Sequence, residues 1–432
     1  MVPEWKETQL GDCADWLSGG TPFKGNDAFW TGSIPWVSAK DMKSFRLHDA
    51  EDHISPLAVG NGGKVVPAGT ILLLVRGMTL HNDVPICMVT REMAFNQDIK
   101  ALRPAKNVDG AFLAYWLLAH KPDLLASVDH AGHGTGRLVT DTLKGKAVQL
   151  PPLAEQKAIA AVLGALDDKI ELNRRMNAKL EAMARALFQC WFVDFDPVRA
   201  KLDGRQPTGL DSTTAALFPA TFQDSALGHI PLGWKAGTVN DAFNFTMGQS
   251  PPGDTYNDEG NGLPFYQGRT DFGFRFPTRR IFCSAPARNA KAGDTLVSVR
   301  APVGDINMAN EECCIGRGVA AVRHKTGATS FTYHAMANLE PDFAKFEAEG
   351  TVFGSINKQN FENLRFVIPP PEIVTAYERQ AAPLDEQIYN LEHQSRTLAT
   401  LRDTLLPKLL SGALSVAVAT GQRDLQVQLE GR

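Results

Sequence analysis

The residues best equipped for chemistry in this chain are basic, and they cluster. Between Phe265 and Lys325 ten Lys or Arg stand against five acids, and between Lys64 and Lys106 six stand against three. The formal net charge of the whole chain is −4. A local surplus of positive charge in each half, balanced by acidic stretches elsewhere, is what a phosphate-binding face on a near-neutral molecule looks like.

Catalytic constellations are missing. Gly132-His133-Gly134-Thr135-Gly136 is rich in glycine but lacks both the G-x-G-x-x-G spacing and the Lys-Ser/Thr of a phosphate loop, so it reads as a flexible loop. Asp194-Phe195-Asp196-Pro197-Val198 has the acid of an amino-methyltransferase motif without the second proline or the aromatic that would stack on a flipped base. Acid-x-lysine triplets such as Glu4-Trp5-Lys6 and Asp41-Met42-Lys43 have no metal-binding Asp on a preceding strand. The ten histidines show no zinc spacing, and the six cysteines form no C-x-x-C pair. Reduced thiols in the cytoplasm are expected, with no signal peptide, no membrane span, and no metal or cofactor held by this chain. The chain reads as a binder.

The elements that would position the basic residues occur twice. Trp5-Lys6 recurs as Trp234-Lys235, Gly19-Gly20-Thr21-Pro22 as Gly248-Gln249-Ser250-Pro251, and Ile34-Pro35-Trp36 as Leu263-Pro264-Phe265, all at one constant offset. Gly69 with Arg76 returns at a slightly shorter offset as Gly293 with Arg300. Pro151-Pro152 and Leu166 to Ile170 return at a shorter one still, as Pro369-Pro370 and Leu384 to Ile388. The offset shrinks only between motifs, as loop deletions would make it do. A single duplication indicates a pseudo-dimer, not a solenoid. In each copy, short apolar runs such as Thr70 to Val75, Val84 to Val89 and Thr295 to Val299 predict strands of a mixed sheet, and Gly110 to His120 predicts a helix.

Each copy then ends in a long helical stretch. From Pro151 to Phe192 apolar residues recur at Ile159, Leu163, Leu166, Ile170, Met176, Leu180, Met183, Leu187 and Trp191. In the second copy Val374, Tyr377, Ala381, Leu384, Ile388, Leu391, Ser395, Leu398, Arg402, Leu405 and Leu409 alternate by three and four, the seam of a coiled coil. Pro383 predicts that this helix kinks or begins there. Asp194 to Leu227 reads as a linker, and Ala417 to Arg432 as a frayed end.

The order Trp5-Lys6, Gly19 to Pro22, Ile34 to Ser38, a Pro67-Ala68-Gly69-Thr70 strand, Leu150 to Ile159, and a helix ending in Leu187 to Lys201 closely resembles the specificity subunit of type I restriction-modification systems. The resemblance runs from Trp5 to Leu410. It implies an α+β protein with two mixed α/β target recognition domains, joined by two long antiparallel coiled-coil helices. The expected layout is a first recognition domain at 1–150, a long helix at 151–193, a linker at 194–228, a second recognition domain at 229–370, a second long helix at 371–412, and a tail at 413–432. It further implies a non-catalytic DNA-recognition subunit, each domain reading one half of a bipartite, asymmetric site in double-stranded DNA. Methyltransferase subunits, two of them, would dock beside the helices and methylate adenine N6 with S-adenosylmethionine; restriction subunits would bring ATP and Mg. A self-contained restriction or methylation enzyme lacks its motifs here, and a coiled-coil scaffold that binds only protein would leave the arginines unexplained.

Within that resemblance the base-reading expectation falls on residue type. Arg can bridge guanine O6 and N7 and Gln adenine N6 and N7, whereas Lys more often meets phosphate. For the first half-site the candidates are Lys24, Ser38, Lys40, Arg76, Lys100 and Arg103. For the second they are Gln249, Gln267, Arg269, Arg275, Arg279, Arg280, Arg300 and Arg317. The copies diverge at such positions, as in Ser38 to Asp41 against Gln267 to Thr270. Trp191, Phe192 and Val193, with the two long helices, are expected at a partner contact, and the two aromatics could equally belong to the core.

Overall fold

The computed structural model describes residues 5–129, 134–348 and 354–416. Residues 132 and 133 of the glycine-rich loop and the stretch 417–432 lie outside the described residues. The chain divides into two compact units, one built on residues up to Glu171 together with those from Ser395, the other on Leu172–Gln394.

In the first unit the strand Ile71–Leu74 is buried along its whole length. It lies between Ile99–Pro104 and Ile86–Val89, and Ala14–Ser18 closes the edge beyond Ile99–Pro104; all of these pairings are antiparallel. An unbroken Ile-Leu-Leu-Leu run suits a strand covered on both faces. A second sheet pairs Ile34–Val37 in parallel with Met93–Phe95, flanked by Asp52–Ile54 and Val65–Val66. The sheets are therefore mixed, as expected. Lys6–Gln9 runs antiparallel to Ala147–Leu150 and draws the two ends of the domain together.

The second unit repeats this plan. Phe243–Met247, Val319–His324, Thr295–Val299 and Val303–Met308 take the same order in an antiparallel sheet. Leu263–Tyr266 pairs in parallel with Cys313–Ile315, and Lys235–Thr238 runs against Arg365–Ile368. Matched strands keep the separations seen in sequence: Trp36 and Phe265 share the offset of Trp5 and Trp234. The separation is shorter for Ile99 and Val319, the mark of a deletion in the intervening loops.

Two helices of 40 residues, Leu153–Phe192 and Pro371–Leu410, are shared between the units. In the first unit Ile159 and Leu163 join Leu406, Leu409 and Leu410 in the core. In the second, Tyr377 donates its hydroxyl hydrogen to the Ala184 carbonyl at 3.3 Å and Asn173 donates to Gln394 at 2.9 Å, so the segments of this unit run antiparallel. The second helix neither begins nor ends at Pro383. It starts at Pro371, where a missing N–H costs nothing, and continues across Pro383, with Ala381 and Asp385 buried on either side.

The first helix departs from its expected stripe. Met176 and Met183 are exposed, while Asn173 and Asn177 are buried. The apolar positions drift because 3.6 residues per turn does not match the spacing of the stripe, and polar residues occupy the buried face.

The stretch expected as a linker is folded. It forms the helices Asp196–Leu202 and Ser212–Leu217 and a hairpin of Phe222–Ser225 with Gly228–Pro231. Phe195, Val198, Phe218 and Ile230 enter the second unit's core beside Trp191 and Trp234. The Trp191 and Phe218 rings meet edge-on at 5.1 Å, which makes Trp191 and Phe192 core residues here, with Val193 packed against them. Gly204, Pro207, Gly209 and Pro219 mark the turns between short elements, not a free tether.

All six cysteines are unpaired. Burial pushes the Cys87 thiol up to about 12, so it stays protonated. Among the described residues no helix is long and apolar enough to cross a membrane, and no cluster of side chains could hold a metal ion.

Candidate nucleic-acid interface

Four turns meet at one tip of the second domain. Gln249 donates its backbone N–H to Ile315 O at 3.0 Å, Gly316 to Tyr266 O at 2.9 Å, and Val299 to Gly318 O at 2.9 Å. These bonds gather Gln249, Gln267, Arg300 and Arg317, all exposed, on a rigid frame. The turns approach so closely that a Cβ on Gly248 would lie 2.2 Å from Gly316 O, which no larger residue could tolerate.

The first domain builds the same tip from the same bonds. Gly20 donates to Phe95 O at 2.9 Å, Asn96 to Val37 O at 3.0 Å, and Val75 to Asp98 O at 2.9 Å. A Cβ on Gly19 would lie 2.0 Å from Asn96 O. The strand pairings thus match Gly20 with Gln249, Ser38 with Gln267, Arg76 with Arg300, and Gln97 with Arg317.

Of the expected site residues, six fall on these tips: Ser38, Arg76, Gln249, Gln267, Arg300 and Arg317. Arg76, Arg300 and Arg317 are exposed, with no side-chain ion pair among the described residues. Ser38 is turned inward to Asp41, its hydroxyl 2.9 Å from the carboxylate. Lys24 stands beside the first tip, where it lines a cleft of about 270 Å3 with Trp30, Trp36 and Asp52.

Other candidates are engaged elsewhere. Lys40 bridges Glu51 and Asp52 at 3.1 and 3.0 Å, and hydrogen bonds to these acids raise its pKa. Lys100 reaches Ser18 at 2.5 Å. Arg103 faces Asp15 at 3.5 Å and lies six residues along the strand from Gln97, about 20 Å from the tip. Arg269 pairs with Asp305 at 2.8 Å, Arg280 with Asp271 at 2.7 Å, and Arg279 binds both oxygens of Glu311 at 2.6 and 2.7 Å.

Arg275 is a correction. Its side chain is fully buried, bonded to Glu181 and to Asp385, the latter at 2.5 Å, and lies 3.8 Å from the Tyr333 ring centroid. Burial alone would lower its pKa, but Tyr333, Asp385 and Glu181 outweigh it and raise it. A guanidinium so enclosed cannot reach a base edge. Only the equivalence was in the sequence: Arg275 follows Arg46 at the same offset that separates Trp234 from Trp5, and the structure pairs Arg46 with Asp168 of the long helix Leu153–Phe192 at 2.9 Å.

Two domains of one design, each offering side chains suited to phosphates and base edges on a rigid tip, define the class: a duplicated nucleic-acid reader. The chain belongs to the family of the type I restriction modification DNA specificity domain, whose model matches residues 3–182 and 231–394. It is 25% identical over 434 residues to the type I restriction enzyme MjaIX specificity subunit of Methanocaldococcus jannaschii, covering 96% of this chain and 94% of the relative. It is 24% identical to the type I restriction enzyme HindI specificity subunit of Haemophilus influenzae, covering 96% of this chain and all of the relative. Among solved structures, the S subunit of the type I restriction-modification system from M. genitalium agrees in fold, at a TM-score of 0.58 and 14% identity over 94% of this chain and 96% of that one.

Proposed function

We propose that this chain is the DNA sequence-recognition subunit of a type I restriction-modification complex, reading a bipartite site with one domain per half-site. The observation that carries the reading is the pair of matched tips, alike in frame and different in side chains, as two unlike half-sites require. The chain itself carries no catalysis. Methyltransferase subunits, two per chain, supply adenine-N6 methylation with S-adenosylmethionine, and restriction subunits use ATP and Mg, all in the cytoplasm.

The two long helices act as an antiparallel coiled coil that joins the domains and fixes the spacer between half-sites. Exposed Leu172, Met176 and Met183 at 46, 45 and 58% accessibility support docking of a protein partner on the first helix. The reading is tested by coexpressing the chain with its methyltransferase partner and mapping methyladenine across a genome. One two-part motif is expected, and the chain alone should methylate nothing. Methyl transfer by the isolated chain, or methylation without a common motif, would overturn it.

A further inference from the structure

The matched tips single out one residue whose type alone did not mark it. Gln97 occupies in the first domain the place that Arg317 holds in the second. Each follows the strand that pairs in parallel with the Trp36 or Phe265 strand, and each precedes the strand beginning at Ile99 or Val319. Both side chains are exposed.

Both are also tied to the same neighbouring turn. The Thr21 hydroxyl donates to Gln97 Oε1 at 2.5 Å, and its counterpart, the Ser250 hydroxyl oxygen, accepts from the Arg317 amide at 3.3 Å. The Asn96 side chain accepts from the Asp98 amide at 3.1 Å and holds the Gln97 turn closed.

At Arg76 and Arg300 the two domains keep the same residue, which suits a ligand group common to both half-sites, such as phosphate. At Gln97 and Arg317 they differ, which suits a group that differs between half-sites. Resting on the reading above, we propose that Gln97 is a base-reading residue of the first domain, specific for adenine, and that Arg317 reads guanine from the equivalent place. The Thr21 bond uses one lone pair of Oε1 and fixes the amide plane. The second lone pair and both Nε2 hydrogens remain for a base edge, the set that accepts from adenine N6 and donates to N7. Arg317 offers a fork of donors suited to guanine O6 and N7.

The test uses the full chain, coexpressed with its methyltransferase partner, and methylation mapping of Gln97→Arg, Gln97→Ala and Thr21→Ala. Gln97→Arg should replace one adenine by guanine in a single half-site. Gln97→Ala should relax that position, with cognate DNA binding weakened about 5- to 100-fold. Thr21→Ala should relax the same position to a smaller degree. An unchanged motif and unchanged binding for Gln97→Ala would overturn the assignment while leaving the wild-type two-part motif, and so the broader reading, intact. A change in the other half-site would overturn it equally. Absence of any motif for the wild-type complex would instead fell the broader reading.

Discussion

Arg46 and Arg275 hold the same place in the two repeats, and each clamps its domain to an aspartate of the long helix packed on it. Arg275 meets Asp385 at 2.5 Å and Arg46 meets Asp168 at 2.9 Å. Tyr115 and Tyr333, also equivalent, complete each clamp: Tyr115 donates to Asp167 at 2.6 Å, and Tyr333 faces Arg275. Each recognition domain is thus locked to a helix surface by a polar joint of the same residue types, and the two joints differ in burial and in partners: Asp167, the counterpart of Asp385, takes Tyr115 and Arg402, while Arg275 also bonds Glu181.

That difference sets the first prediction. Arg275→Ala leaves the buried Asp385 and the part-buried Glu181 without their cation, so it should cost about 3 to 5 kcal/mol. Arg46→Ala exposes a pair already half in water and should cost about 1 kcal/mol or less. Urea unfolding of the full chain measures both. Equal costs would mean that the Arg275 joint is not closed to water in solution.

The paired arginines at the tips give a second expectation. Arg76→Ala and Arg300→Ala each remove a cation matched between the domains, so each should weaken DNA binding with little change of sequence preference and reduce the salt slope by about one. Arg279→Ala should do much less, because Glu311 already accepts from its Nε and Nη2 and neutralises its charge. Titrations at several salt concentrations decide it. A loss confined to cognate DNA would assign Arg76 or Arg300 to a base instead.

Much of this architecture could be read from residue spacing, because a duplication makes each half a control for the other. Buried strands such as Ile71–Leu74 and the extent of the two long helices follow from apolar period, and of the second helix's expected stripe Val374, Tyr377, Ala381, Ile388, Leu391 and Leu409 are buried. The site was less legible. Residue type marked Arg275 and Arg300 alike, yet one is enclosed and the other open, a difference set by which residues the fold brings opposite each. Nor could composition reveal Gln97, whose meaning comes from a turn shared with Thr21, 76 residues away. Asn173 and Asn177 hid for a third reason: a helix face is buried by its partner, whatever its side chains.

The exposed methionines lead to a third prediction. Met183 is 58% accessible on a helix whose neighbouring turns are packed, so Met183→Asp should leave the unfolding free energy within about 0.5 kcal/mol of wild type. If a methyltransferase subunit covers it, the same change buries a charge and should weaken assembly at least tenfold. Sedimentation of the mixed subunits gives the answer. Undiminished assembly would move the docking surface elsewhere.

Acid should loosen the second domain before most carboxylates titrate. Burial, joined by the nearby charges of Arg275 and Arg185, lowers the pKa of His334 to about 3. Burial also lowers His324 to about 4, with Glu378 opposing and Lys325 reinforcing. Both side chains are neutral in the folded protein near pH 6, whereas their unfolded pKa is about 6.5. The unfolded chain therefore binds more protons below that pH, and the stability these residues contribute, complete above about pH 6.5, is lost as pH falls toward 4. Each histidine should take away about 1.4 kcal/mol per pH unit in the steep part of that window. Urea unfolding at pH 7.5, 6.5, 5.5 and 5.0 should show the decline, and His334→Leu should flatten it by about half. A stability constant from pH 6.5 to 5.0 would mean that both rings take up protons within the fold as readily as in the unfolded chain.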